Sequence, residues 1–209
     1  MSFLQNIMKQ LMDYLYGYTN NYGIAIIVLT ALIKLILLPF SFQQYNSIKK
    51  MQEIAPLQKK IQEKYKNDKE KMNKELMKLY EEHKINPMGG CLPILIQFPF
   101  IIALFQVLQN YNFGNAGFLW IKDLGAPDTT YILPVLSAVT TYLSSRIGMP
   151  QGADNQQGTM SIVMSAFIGW MAAKFPSGLA LYWVVSNLMQ MLQQFLIMRS
   201  PASAKKEAE

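Results

Sequence analysis

Stretches almost free of charge recur along the chain at residues 22–33, 91–105, 131–143 and 179–198, and one long polar stretch separates the first two. A helix that crosses about 30 Å of hydrocarbon needs roughly 20 residues at about 1.5 Å each, fewer where the bilayer thins. Five segments qualify: Tyr22 to Phe42, Cys91 to Gln109, Tyr131 to Ser145, Thr159 to Ala173 and Leu179 to Met198. The turn KFPSG at 174–178 leads from the short fourth segment into the fifth. The pattern predicts an all-α fold, a polytopic membrane bundle of five transmembrane helices within residues 22–198.

Residues 43–86 are polar enough to stand in water, yet Met51, Ile54, Leu57 and Ile61, then Met72, Leu76, Leu79 and Tyr80, recur at intervals of three and four. They predict two helices, with KYKNDKEK as the turn and Asn67 or Asp68 capping the second by accepting a backbone N–H hydrogen bond. The stripes are narrow, so this helical hairpin buries little and moves relative to the membrane part. The alternative is a solvated linker that only spaces two spans. Residues 1–21 lack the basic start, short apolar run and small-residue cleavage site of a signal peptide. Their apolar positions, Leu4, Ile7, Met8, Leu11, Met12, Leu15 and Tyr18, predict an amphipathic helix lying in the interface. The end of the chain, 199–209, is predicted to be a disordered tail.

Composition supports the membrane reading, since 51% of residues are apolar and only 15% charged. The charge also orients the bundle, because cytoplasmic flanks retain Lys and Arg. Eleven lysines crowd into residues 43–90, and Arg146, Arg199, Lys205 and Lys206 fall on the same side, against Lys9, Lys122 and Lys174 on the other. The hairpin and C-terminus are therefore expected in the cytoplasm and the N-terminus outside. The connection GNAGFLWIKDLGAPD, with Phe118, Trp120 and Ile121, is expected on the outer headgroups, and residues 146–158 form a short cytoplasmic loop.

Cys91 is the single cysteine and His83 the single histidine, so no internal disulfide or His/Cys metal cluster can be assembled. No nucleophile–base–acid set can be drawn either, and neither an enzyme nor a cofactor is expected. The feature that needs a function is Lys34, about 12 residues or roughly 18 Å into the first segment. A charge at that depth costs about 2.5–3.5 kcal/mol, and none of the five segments contains an Asp or Glu to pair with it. An ammonium there faces water or gives up its proton. Thr30 and Ser41 share its face, Gln97 lies inside the second segment, and two further stripes carry polar groups. These are Ser137, Thr141, Ser144 and Ser145 on the third, and Tyr182, Ser186, Gln190 and Gln193 or Gln194 on the fifth. Small hydroxyls also pack helices in lipid, so each stripe alone is open between packing and cavity lining; with a lone cation they favour a cavity.

The segment NPMGGCLPILIQFP at 86–99 resembles the conserved second span of the YidC/Oxa/Alb membrane insertase family. TALIKLILLPF at 30–40, FLWIKDL at 118–124, YILPVL at 131–136 and FPSGLALYWVVSNLMQMLQQ at 175–194 extend the resemblance in family order over nearly the whole chain. It implies a short bacterial five-span member with a water-filled groove open to cytoplasm and lipid but closed outside, in the bacterial cell membrane. It also implies that the family's groove arginine falls at Lys34, which keeps the charge but not the planar fork that grips carboxylates. By the same resemblance Thr30 faces the groove, Tyr182 and Trp183 form a substrate-contact pair, and Ser144 stands where relatives often carry glutamine.

The implied activity is insertion of nascent membrane proteins, alone or with the Sec translocon, the flank of the substrate passing through the groove. Expected partners are the nascent chain, the Sec translocon, the lipid bilayer and, through phosphate attraction to the basic hairpin, the ribosome. With seven acidic residues among those lysines, a merely solvated hairpin surface is the alternative. An assembly chaperone with no need of Lys34, and a solute channel open at both faces, are the competing classes.

Overall fold

The computed structural model describes residues 2–85, 92–111, 113–114, 116–148 and 155–199. The motif residues 86–91, residues 149–154 of the expected 146–158 loop and the expected tail from 200 onward lie outside them. Eight helices appear among the described residues: α1 Ser2–Thr19, α2 Tyr22–Ile36, α3 Leu38–Lys64, α4 Lys69–Glu82, α5 Leu92–Asn110, α6 Ile132–Gly148, α7 Asn155–Ala172 and α8 Ser177–Arg199. The all-helical expectation holds among the described residues, and the helices follow the expected segments with two corrections: the first segment is broken, and α6 and α7 reach into the expected 146–158 loop, to Gly148 and from Asn155.

The expected continuous helix from Tyr22 to Phe42 is broken. Asn21 opens α2 by accepting the Ile24 N–H at 3.1 Å, but α2 ends at Ile36 and α3 leaves at 66° to it. Pro39, in the first turn of α3, has no N–H to offer the Leu35 carbonyl, and its ring disfavours continuing the helix behind it. The apolar period runs through this break unchanged, so periodicity alone does not reveal it. In consequence the first hairpin helix starts at Leu38, inside the expected span, and runs unbroken to Lys64. Of the two candidate caps for α4, Asp68 is the one used, accepting the Lys71 N–H at 3.0 Å. Helices α3 and α4 meet over a small core of Ile54, Leu79 and Ile85 edged by Met51, Ile61 and Tyr80.

The main core gathers Ala25, Ile26, Leu29 and Ile33 of α2, Ala103, Leu104 and Leu108 of α5, and Leu181 and Val184 of α8. Helix α1 is amphipathic as expected and lays Met8 and Met12 into this core. Helices α6 and α7 pack backbone to backbone. A Cβ on Gly169 would sit 2.9 Å from Ala138 Cβ and 3.2 Å from the Pro134 carbonyl, and the hydroxyls of Ser145 and Ser161 pair across the seam. Small residues permit this approach in membranes as larger ones do not.

The 113–131 connection folds over the end of the bundle. Phe113, Ile121 and Leu124 are buried, Phe118 and Ile121 exchange backbone hydrogen bonds at 2.9 Å, and the Phe118 ring occupies the space that any side chain on Gly23 would need. Ser177 donates to the Ala126 carbonyl from both its N–H, at 2.8 Å, and its hydroxyl, at 2.6 Å. Asp128, 5% exposed, anchors the start of α6: Oδ1 accepts the Thr130 N–H at 3.0 Å and hydroxyl at 2.6 Å, and Oδ2 accepts the Leu133 N–H at 2.8 Å. Burial pushes its carboxyl up, but hydrogen bonds from Thr130, Leu133 and Trp120 outweigh that and hold it below the usual carboxylate value.

Among the described residues no single helix is long and apolar enough to cross a membrane, and only the bent α2–α3 pair passes when taken together. The break shortens α2, and α8 carries Ser186, Asn187, Gln190, Gln193 and Gln194 within its length. The outward surface is nonetheless strongly apolar: Val135, Val139 and Leu143 on α6, Met160, Val163, Phe167 and Trp170 on α7, and Leu188, Leu192, Phe195 and Leu196 on α8 are all exposed. Water-soluble monomers seldom show so continuous an apolar surface.

Replacing Asp128 with Asn is expected to lower the unfolding free energy by about 1–3 kcal/mol at neutral pH, because three hydrogen bonds lose their charged acceptor. A folded pKa below the unfolded one means the contribution is complete above the unfolded value of about 3.9 and is lost as pH falls through the folded value. Thermal unfolding of both proteins should therefore show a Tm gap that narrows only at the acid end. A gap that is constant down to about pH 3 contradicts an ionised anchor.

Candidate functional site: a polar cavity at the helix bend

Lys34 occupies the last turn of α2, directly before the bend. It is 8% exposed, and among the described residues no carboxylate lies within ion-pair distance of it. Its side chain borders a cavity of about 450 Å³. The bend brings Phe40, Ser41, Gln44 and Tyr45 of α3 to one side. Thr141, Ser144 and Ser145 of α6 supply hydroxyls, while Ile101 of α5 and Met164 and Ile168 of α7 are apolar. Helix α8 contributes the longest edge, with Tyr182, Trp183, Ser186, Asn187, Gln190 and Gln193. Lys34 is the one charged side chain among these lining residues.

Two hydrogen bonds hold the bend to α8. Where the helix breaks, the Lys34 carbonyl accepts from Gln193 Nε2 at 3.2 Å. Two turns into α3, the buried Tyr45 hydroxyl donates to the Gln190 carbonyl at 3.1 Å. Across the cavity Trp183 Nε1 donates to Thr141 Oγ1 at 3.0 Å. The Asn187 carboxamide joins this cluster, with its oxygen best placed toward Trp183 Nε1 at 3.3 Å and Thr141 Oγ1 at 3.0 Å. These contacts fix α6 against α8 while leaving Ser144, Ser186 and the Lys34 ammonium on the cavity surface.

Of the residues expected from sequence, Lys34, Ser144, Tyr182, Trp183 and Gln190 come together on this cavity. Thr30 does not. It is 1% exposed, one turn deeper in the core, and its hydroxyl donates to the Ile26 carbonyl of its own helix at 2.7 Å. Ser137 is likewise packed away, its hydroxyl without a partner among the described residues. The Gln97 side chain lies outside the described residues. Of the pair Gln193 and Gln194, Gln193 lines the cavity and Gln194 is buried beside it. Sequence reasoning missed Asn187, Phe40, Gln44 and Tyr45. Pro39 was the available signal for the last three, since a bend there turns the start of α3 across the end of α2.

Fold and site together define a helical membrane protein with a polar, singly charged cavity inside an apolar surface. The 60Kd inner membrane protein family matches residues 14–205. The membrane protein insertase YidC of Caldanaerobacter subterraneus subsp. tengcongensis is 45% identical over 200 residues, which is 95% of this chain and 96% of that one. The membrane protein insertase YidC of Clostridium perfringens is 47% identical over 207 residues, 93% of this chain and 86% of its own length. Among solved structures, an active YidC insertase with its first transmembrane domain resolved superposes with a TM-score of 0.75 at 31% identity, covering 91% of this chain and 45% of that chain. The chain belongs to the YidC membrane insertase family.

If the two bonds to α8 hold the bend, the double variant Tyr45→Phe/Gln193→Leu loses about 0.5–1.5 kcal/mol for each. Spin labels on α3 and α8, read by pulsed EPR, should then give a broader distance distribution than in wild type. An unchanged distribution means that packing alone sets the bend.

Proposed function

We propose that this chain is a membrane protein insertase that admits the hydrophilic flank of a nascent transmembrane segment into the cavity beside Lys34. The observation that carries this reading is a buried ammonium, without a partner among the described residues, facing a cavity edged with hydroxyl and amide groups. Polar peptide groups entering hydrocarbon bare cost several kcal/mol each. Hydroxyls of Ser144 and Ser186 and the amide of Gln190 replace part of the lost hydration, at about 0.5–1.5 kcal/mol for each hydrogen bond. The barrier to crossing falls without any nucleotide chemistry in this protein. An acidic group on the flank is attracted to Lys34 by roughly 4 kcal/mol at 4 Å and an effective dielectric of about 20, enough to recruit and too little to trap. The apolar part of the substrate meanwhile follows the exposed faces of α6 and α8 in contact with lipid.

In this reading α2 with the start of α3, then α5, α6, α7 and α8, are the five spans of an inner-membrane bundle. The α3–α4 hairpin and the C-terminus face the cytoplasm and the N-terminus lies outside, with α1 as an interfacial helix. The lysines of the hairpin meet the ribosome or anionic lipid, and the Sec translocon is a partner for larger substrates. Lysine at the charged position attracts a carboxylate as a point charge, where an arginine would grip it with two parallel hydrogen bonds.

Reconstituted Lys34→Arg is expected to insert substrates as wild type does. Lys34→Met should slow substrates with acidic flanks about tenfold, equivalent to about 1.4 kcal/mol, and leave neutral flanks nearly unchanged. Equal insertion of acidic-flank substrates by all three proteins would sink the electrostatic role of Lys34.

A further inference from the structure

We infer that the cavity also binds a single-chain amphiphile bearing one negative charge, a fatty-acid carboxylate, with its head on Lys34 and its chain along the apolar wall. Three observations meet in this assignment. Lys34 is 8% exposed, and its ammonium has no counter-charge among the described residues. A buried charge is unfavourable until an opposite charge reaches it, so a visiting anion gains where a neutral molecule does not. With no second charged group among the described lining residues, the complement is one negative charge and not two.

The wall is also divided by element. Among the described side chains, α6 supplies hydroxyls from Thr141, Ser144 and Ser145, whereas α5 and α7 supply Ile101, Met164 and Ile168. A ligand with a polar head and an apolar chain matches that division better than a uniformly polar solute. The volume of about 450 Å³ falls within the range of about 300–1,000 Å³ typical of sites for single small molecules. Such an amphiphile reaches the cavity through the bilayer, with no aqueous path required. Because its head takes the place of an acidic flank, it competes with substrates; this consequence rests on the function proposed above, while binding rests on the cavity alone.

Trp183 lines the cavity and Trp170 stands on the exposed face of α7, so the two indoles separate binding from partition into the bilayer. In nanodiscs of zwitterionic lipid, brominated dodecanoate should quench a Trp120→Phe/Trp170→Phe protein saturably. A Trp120→Phe/Trp183→Phe protein should be quenched only in proportion to the amphiphile dissolved in the lipid. Plain dodecanoate should restore Trp183 emission, dodecanol of equal chain length should not, and Lys34→Met should raise the half-saturating concentration at least tenfold. Quenching of Trp183 that never saturates, or that dodecanol reverses as well as dodecanoate does, overturns the inference. The dodecanol comparison uses cavity-intact protein and so holds even where Lys34→Met fails to fold. Insertion of an acidic-flank substrate, measured on the same protein without amphiphile, keeps the two readings apart. Normal insertion without saturable quenching removes the amphiphile site and leaves the proposed function standing. Saturable quenching without insertion does the reverse.

Discussion

Pro39 cannot give a hydrogen to the Leu35 carbonyl, and the site grows out of that one missing bond. The helix stops at Ile36, the chain turns through 66°, and the start of α3 crosses the end of α2 instead of extending it. Two consequences follow locally. The Lys34 carbonyl is released from the helix ladder and takes its hydrogen bond from Gln193 of α8. The Lys34 side chain, which a straight helix would direct among its neighbours' flanks, is left beside the space that the turn opens. In an apolar medium a freed backbone group is expensive unless another donor meets it, so a proline bend there requires a partner helix with an amide at the right height.

The polar residues of α6 and α8 divide between two duties that look alike in sequence. Trp183, Thr141 and Asn187 spend their hydrogen bonds on one another and set the spacing of the two helices. Ser144, Ser186 and Gln190 remain on the cavity edge. The Ser145–Ser161 pair and the Gly169 contact do similar work on the other side of α6, pulling α7 close. Polarity in this bundle therefore serves as helix cement in some places and as a solvent substitute in others. The difference lies only in whether a neighbouring helix answers the group.

Much of this was legible beforehand. Charge-free stretches marked where α5 to α8 run, the three- and four-residue spacing of Met51, Ile54, Leu57 and Ile61 and of Met72, Leu76 and Leu79 marked the hairpin, and the isolation of Lys34 from any carboxylate marked the site. What periodicity could not see was the break at Leu37, because the apolar face continues through it and proline is compatible with the first turn of the next helix. Nor could it separate Thr30 from Ser41, which share a face only if the helix is straight. Thr30 returns its hydroxyl to Ile26 and packs, whereas Ser41 is carried round the bend to the cavity. Asp128 also escaped attention, since a carboxylate outside every span gives no hint in sequence that it anchors a helix start.

The cap formed by Phe113, Ile121 and Leu124, locked to α8 by Ser177 and to α2 by Phe118 against Gly23, has an electrical meaning. A polar cavity within a bilayer thins the insulating layer, and a living membrane holds a voltage worth about 2.3 kcal/mol per elementary charge for each 100 mV. On the proposed membrane placement, the packed apolar side chains of this cap are the remaining dielectric. In that arrangement they keep a bundle that holds water-like groups at depth from becoming a leak through which ions discharge the membrane.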